Sequence, residues 1–367
     1  MNCLSRVYRI FGWLLLCLPV LVLAPCASAQ SAIPTEGIGS VQPAAQPPTP
    51  SGADRRVTID ISATDGKGTP TPGLAQQDFT LLDNKKPVKL LSFQAFGSAQ
   101  TPARPTAVIL VVDAINLKFE YVGYAHQELD TFLRQNEGRL AAPTSIFEVS
   151  DTDLNGLSNP STDGNAVASA LDRYQNGLRA LNRSGGFYGA EERLQMSMQK
   201  FMNIVAYAAK LPGRKLLIWI GPGWPMLGGP AIVWPPKTER EFFNTIVQMS
   251  AVMRQNNITL DSISAGIPGP QTFYYQSFLK GVKSPNDVDS ANLDEKVMAV
   301  ESGGIVIQPN FDLPGDIQKC IDTASVFYRV SFDAPPTEKP NQYHSLVVKM
   351  DRHGLKAYTN TGYYDQP

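Results

Sequence analysis

Asp113 closes the apolar run VILVV at 108–112 and is followed by Ala114-Ile115-Asn116, where the chain changes direction. An aspartate at the end of a buried strand is where many α/β proteins present a metal ion or a nucleophile. A second oxygen-rich stretch, Asp151-Thr152-Asp153-Leu154-Asn155-Gly156, has the D-x-D-x-N-G opening of a Ca²⁺ loop, with alternate oxygens to wrap the ion and a glycine for the sharp turn. Thr162 stands at the twelfth position, where a bidentate glutamate should close the loop. The same residue types make an ordinary hairpin turn, and the turn is the preferred reading.

Catalytic patterns are sparse. No G-x-S-x-G elbow occurs, G-P-G-W-P-M at 221–226 has methionine where a dinucleotide loop needs its third glycine, and D-G-K-G-T at 65–69 lacks phosphate-loop spacing. His126 falls on a predicted helix with no nearby acid or cysteine, and His344 and His353 flank a predicted strand. Three dispersed histidines read as surface residues rather than as a relay or a zinc set. Asp113 and Asp261 are a candidate carboxylate pair for a hydrolase, and nothing else favours that chemistry. No enzyme is expected.

Two loops are unusual. GPGWPMLGGPAIVWPP carries Trp224 and Trp234, and AGIPGPQTFYYQSF carries Phe273, Tyr274 and Tyr275. Large aromatics on semi-rigid proline loops make contact area at low entropy cost, so these five are candidate partner-binding residues. The alternative is that they plug the end of a sheet.

The elements that must position these residues follow from periodicity. Apolar runs at Ala107–Val112, Ser145–Val149, Leu216–Ile220, Ile258–Ile263 and Ile305–Ile307 are separated by amphipathic helical patterns. In one helix Tyr121, Tyr124, Ala125, Leu129, Phe132 and Leu133 share a face; in another Leu194, Met198, Phe201, Met202 and Val205 do. Continuous apolar strands joined by helices predict a doubly wound, largely parallel sheet covered on both faces, with ligands at the carboxyl ends of its strands. Residues 56–104 and 325–364 instead alternate with period two, as at Val57, Ile59, Ile61, Ala63 and at Val326, Tyr328, Val330, Phe332. Neither end closes a core alone, so they are expected to meet in one small antiparallel β-sandwich, with the α/β region 105–324 inserted between them.

The N-terminus reads differently. Arg6 and Arg9 precede an apolar run from Ile10 to Leu23, and Ala27-Ser28-Ala29 offers small-x-small residues, so 1–29 reads as a cleaved export signal rather than a membrane anchor. Residues 30–55 carry five prolines and few large apolar residues, the composition of a disordered tether. Removing the signal leaves 30 basic against 33 acidic residues, a charge of −3 that lacks the basic footprint of a nucleic-acid partner. Of the 4 cysteines only Cys320 would remain, so no internal disulfide is expected and stability must come from the core. The location is exported, periplasmic or extracellular, with no membrane span after cleavage.

Four motifs then carry a resemblance. DISATDGKGTPTPGLAQQDFTLLDNKKPVKLLSF, VILVVDAIN, LPGRKLLIWIGPGWP, and VFYRVSF with LKAYTNTGYY are similar, in this order from about Val57 to Tyr364, to the acidobacterial von Willebrand factor A-related domain family. The resemblance implies a von Willebrand A-like α/β domain in exported proteins that bind partners rather than catalyse. It also implies a Mg²⁺ site built from Asp-x-Ser-x-Ser after the first strand, a threonine from a later loop and an aspartate after the fourth strand. Asp113 matches the first aspartate, but Ile115 and Leu117 stand at the serine positions, and LLIWI runs into Gly221-Pro222-Gly223 without an aspartate. Thr162 and Asn116 are the remaining candidate oxygens. Mg²⁺ wants about six oxygens in a tight octahedron. The expectation is therefore a vestigial site and no cofactor, with weak Mg²⁺ or Ca²⁺ binding through Asp113, Asn116 and Thr162 as the alternative. Function is expected to be an interaction module for an unknown protein partner, with a metal-dependent adhesion domain as the alternative.

Overall fold

The computed structural model describes residues 55–97, 106–152, 154–175, 186–227, 234–266, 272–337 and 339–365. The signal at 1–29 and the tether at 30–55, Arg55 excepted, lie outside the described residues. The chain opens with β1 (Arg56–Thr64), β2 (Phe79–Asp83), β3 (Lys86–Pro87) and β4 (Ser92–Phe96). The alternating region holds β5 (Ala107–Asp113), α1 (Phe119–Arg134), β6 (Arg139–Val149), β7 (Leu154–Asp163), α2 (Gly164–Gln175) and α3 (Gly186–Ala208). It continues with β8 (Lys215–Gly221), α4 (Pro236–Gln255), β9 (Ile258–Ser264), α5 (Glu295–Glu301), β10 (Val306–Ile307) and α6 (Leu313–Ser325). β11 (Phe327–Asp333), β12 (Tyr343–Met350), β13 (Lys356–Tyr358) and β14 (Gly362–Tyr364) close it.

β5 is buried at every residue, which only a central strand with both faces covered can be. It lies in a six-stranded sheet of order β10-β9-β8-β5-β6-β7, parallel throughout except where β7 runs antiparallel to β6. On one face Leu110, Val112, Leu216 and Ile218 pack with Leu129 and Leu133 of α1, Val167 and Leu171 of α2 and Ile317 of α6. On the other, Ile109, Val111, Leu217 and Trp219 pack with Phe201 and Val205 of α3, Met253 of α4 and Met298 of α5. The two cores follow from the pleat: alternate residues of each strand point to opposite faces. The chain is thus α/β, with a mixed, largely parallel sheet.

Strands from both chain ends form two four-stranded antiparallel sheets, β13-β1-β11-β4 and β14-β12-β2-β3. Val57 lies opposite Phe332, Ile59 opposite Val330 and Ile61 opposite Tyr328, and these side chains share a core with Phe79, Leu81 and Tyr363. This layer joins the six-stranded sheet at its amino edge through Arg214, which precedes β8. The buried Arg214 guanidinium lies 4.6 Å from the Phe327 ring centre, donates to Ala324 O at 2.9 Å and approaches Asp60 at 3.8 Å. Asp60 in turn accepts two bonds from Arg329, at 2.8 and 2.9 Å.

β7 is the element that periodicity missed. LNGLSNPSTD has no apolar alternation because this edge strand is nowhere fully buried, and backbone pairing to β6 holds it.

Candidate functional site

Asp113 ends β5 at the carboxyl edge of the sheet and is fully buried. Its Oδ1 accepts the Asn116 N–H at 3.0 Å; its Oδ2 accepts Asn116 Nδ2 at 2.9 Å and Trp219 Nε1 at 3.1 Å. Asn116 Nδ2 also donates to Ser197 Oγ of α3 at 2.8 Å. The carboxylate therefore ties its own loop to β8 and α3. Gly221 makes this approach feasible, since a Cβ there would come 2.9 Å from Asp113 Cβ. Ile115 and Leu117 plunge into opposite cores of the sheet. The positions at which the resemblance requires hydroxyl oxygens thus anchor the loop by apolar burial.

Around this loop lies a buried charged cluster that no sequence motif announces. Asp294 caps α5, accepting the Lys296 N–H at 2.9 Å, and Glu295 Oε2 accepts Ser262 Oγ of β9 at 3.1 Å. Lys296 reaches across to donate to the Pro222 carbonyl. All three are almost wholly buried. Burial lifts the Asp294 carboxyl to about 6 against the pull of Lys296, and it lifts Glu295 well above the carboxylate range, with Asp294 and Asp113 adding repulsion. The positive charge beside these acids is the Lys296 ammonium. Gly223, at φ +92°, leaves it room: a Cβ there would lie 2.8 Å from Lys296 Nζ.

The candidate metal ligands are not brought together. Asp113 aligns with Val149, and Val149 with Leu154 at the start of β7, whereas Thr162 lies exposed at the far end of that strand. Eight residues at ~3.3 Å each place it roughly 25 Å from the Asp113 edge. With apolar Ile115 and Leu117 between them, Asp113, Asn116 and Thr162 do not fit a Mg²⁺ or Ca²⁺ ion. Leu154, Asn155 and Gly156 of the Ca²⁺-like stretch are paired with Val149, Glu148 and Phe147 in the β6–β7 hairpin, so they are strand residues; Asp153 lies outside the described residues. Among the described residues, no group of three or more His, Cys, Asp or Glu side chains is arranged to hold a metal.

Other expectations need correction. His126 is buried, not at the surface, and meets an acid: Nε2 lies 2.6 Å from Glu148 Oε2 of β6. His344 is also buried, with Nδ1 2.9 Å from Asp83, which accepts the Tyr363 hydroxyl as well. Asp113 and Asp261 are no catalytic pair. Asp113 shares the face of Ile109 and Val111, Asp261 that of Ile263, so the carboxylates point to opposite sides of the sheet. Asp261 instead accepts the Ile305 N–H at 2.9 Å, and burial lifts its carboxyl to about 6.

The five aromatic candidates divide. Trp224 is buried in the core, 5.3 Å from Phe201 and 5.5 Å from Trp219 between ring centres, and Tyr275 is buried too. Being buried, neither can present a contact surface, and a proline loop has no periodicity that would have shown which ring turns inward. Trp234 is half-buried, edge-on to Phe242 at 5.3 Å. Phe273 and Tyr274 are 57% and 44% exposed. Sequence reasoning missed four more exposed aromatics on connections at the same edge: Phe119 starting α1, Phe187 and Tyr188 starting α3, and Phe311 between β10 and α6. Phe311 could have been found from the helix-start signal that follows it, Asp312 with Pro314 in NFDLPG; nothing comparable flags Phe119, whose helix follows Lys118 without a side-chain cap.

Fold and site together define an α/β protein in which Asp113, Asp294 and Glu295 are internal at the carboxyl edge while several aromatic side chains stand exposed there. No family model matches the chain, and no curated protein matches it. Among solved structures it is similar to the human COPII-coat protein Sec24c, with a TM-score of 0.34 and 11% identity over 71% of this chain and 44% of that one. It is similar to manganese-loaded TRAP protein of Plasmodium vivax, with a TM-score of 0.34 and 10% identity over 77% of this chain and 97% of that one. The pilus adhesin SpaC of Lactobacillus rhamnosus GG gives a TM-score of 0.28 and 10% identity over 79% of this chain and 48% of that one. The chain spans less than half the length of Sec24c and SpaC. Likenesses of this size carry no argument about function.

Proposed function

We propose that the chain is an exported protein-interaction module, a degenerate relative of the von Willebrand A-related class, that grips its partner with aromatic side chains at the carboxyl edge of the six-stranded sheet. One observation carries this reading. Of the nine large apolar side chains exposed among the described residues, seven lie on connections or helix starts at that edge, and six of these are aromatic: Phe119, Phe187, Tyr188, Phe273, Tyr274 and Phe311. Exposed aromatics gathered at one edge mark an interaction surface, since scattered single ones would be expected otherwise. The motif order from Val57 to Tyr364 supports the class, and the pattern of residues 1–29 supports export. Metal dependence is not part of the reading, because Ile115, Leu117 and the distant Thr162 leave Asp113 without a ligand set. Nor is catalysis, for which no residue constellation argues.

The test is crosslinking and affinity capture from the native cell envelope with wild type and a Tyr188→Ser, Phe273→Ser double variant, each with and without chelator. The double variant should lose the crosslinked partner while its Tm stays within about 2 °C, as surface substitutions do. Equal capture by the variant, or loss of capture on chelation, would count against the reading.

A further inference from the structure

Three methionine side chains line one small cavity between α4 and α5. Met249 and Met253 stand four residues apart on α4, and Met298 stands three residues before Glu301 on α5, so each helix turns one face toward the space. The turn between β13 and β14 borders it, with Asn360 bridged to Ser302 and the Thr361 N–H donating to the Glu301 carbonyl at 3.2 Å. The cavity holds about 20 Å³, room for one water-sized body and for no organic ligand.

Two of the polar side chains at its wall are committed elsewhere. Asn292 Oδ1 accepts the Asp289 N–H at 2.8 Å while Nδ2 donates to Phe278 O at 3.3 Å. Ser302 Oγ accepts the Leu260 N–H and donates to Ala299 O, both at 2.9 Å. The Glu301 carboxylate differs: no N–H, hydroxyl or cationic side chain among the described residues bonds to it. A carboxylate drawn out of water without a counter-charge is costly, and a bound cation would offset that cost.

We infer that this cavity binds one soft monovalent cation of the Cu⁺ and Ag⁺ class. Thioether sulfur is uncharged and polarizable, so it suits Cu⁺ where Mg²⁺ and Ca²⁺ want hard oxygens. Three thioethers and one carboxylate make a four-donor set in which Glu301 balances the single charge of the ion. Methionine acting only as filler would close the gap, because its unbranched chain adapts to irregular space. Here three methionines border a gap of single-ion size beside an uncompensated acid. The site is separate from Asp113, Asn116 and Thr162 and needs no partner protein, so it stands or falls independently of the interaction-module reading.

The experiment is an NMR titration of the whole chain, labelled with carbon-13 in its methionine methyl groups, with Ag⁺ as the air-stable counterpart of Cu⁺. Cys3, Cys17 and Cys26 are replaced by serine so that their thiols do not compete; Cys320 is buried on the opposite face of the six-stranded sheet from the three methionines. One equivalent of Ag⁺ should move the methyl signals of Met249, Met253 and Met298, assigned by single Met→Leu variants, and leave the other methionines in place, while Mg²⁺ should move none. Met249→Leu, Met298→Leu and Glu301→Gln conserve volume and should each weaken Ag⁺ binding by about tenfold or more. No shift at these three methyls, shifts spread over all the methionines, an equal response to Mg²⁺, or wild-type affinity in all three variants would overturn the site.

Discussion

Asp113 shows how one residue type serves different ends according to its neighbours. Three nitrogen donors surround its carboxylate, from Asn116 and Trp219, and bind the loop after β5 to the rest of the edge. Asp113→Ala should therefore cost about 3 kcal/mol in urea unfolding, since it strands buried donors. Mn²⁺ should change the Tm of neither protein; a Mn²⁺ gain in wild type that vanishes in the variant would restore the metal reading. Aromatic residues split the same way. Trp224→Ala should cost ~3–5 kcal/mol because it empties a core site, whereas Phe273→Ala should change stability by ~0.5 kcal/mol or less. Sequence could nominate Asp113 and the aromatic loops, because residue type and strand position are local. It could not separate Trp224 from Phe273, because which ring faces the core depends on α3 and β8 arriving from elsewhere in the chain.

Elements were legible where one face repeats. β5, β8 and β9 lie within a residue or two of their apolar runs, and α1 buries Ala125, Leu129, Phe132 and Leu133 as its stripe requires. β7 was not, since an exposed edge strand needs no pattern. His126 was misread because its partner Glu148 lies across the α1–β6 contact, which sequence separation hides. The junction between the antiparallel layer and the six-stranded sheet depends on another such contact. Asp60 on β1 faces both Arg214 and Arg329, so Asp60→Ala leaves two arginines without their carboxylate, one of them buried. The expected loss is about 3 kcal/mol or more, seen as a lower urea midpoint. A double variant that also replaces Arg329 by methionine should recover part of it.

At the scale of the whole molecule the buried acids set the pH response. Asp261 and Asp294 rise from 3.8 to about 6 and Glu301 from 4.5 to about 8, all by burial. The folded chain then holds protons that the unfolded chain releases, so stability falls as pH rises from about 4 to 8. Asp65 and Asp78 act oppositely. Their carboxyls are held below 3.8, Asp65 chiefly by the Thr69 N–H and Asp78 chiefly by the Ala75 N–H with help from Arg352, so their contribution is lost in acid below that range. Tm should rise on going from pH 8 to about 5 and drop below about pH 4. A Tm that climbs steadily from pH 5 to 8 would show that these acids are solvated. The sequence by itself determined the α/β class, the largely parallel sheet with antiparallel strands at both chain ends, and the loss of side-chain oxygens at Ile115 and Leu117, because periodicity and residue identity are carried by neighbours along the chain. Only the tertiary structure decided that Asp113 is internal, that Asp294, Glu295 and Lys296 gather beside it, and that Phe119, Tyr188 and Phe311 join Phe273 among the exposed aromatics of the carboxyl-edge connections. Those facts depend on burial and on contacts between residues far apart in sequence, which no local pattern encodes.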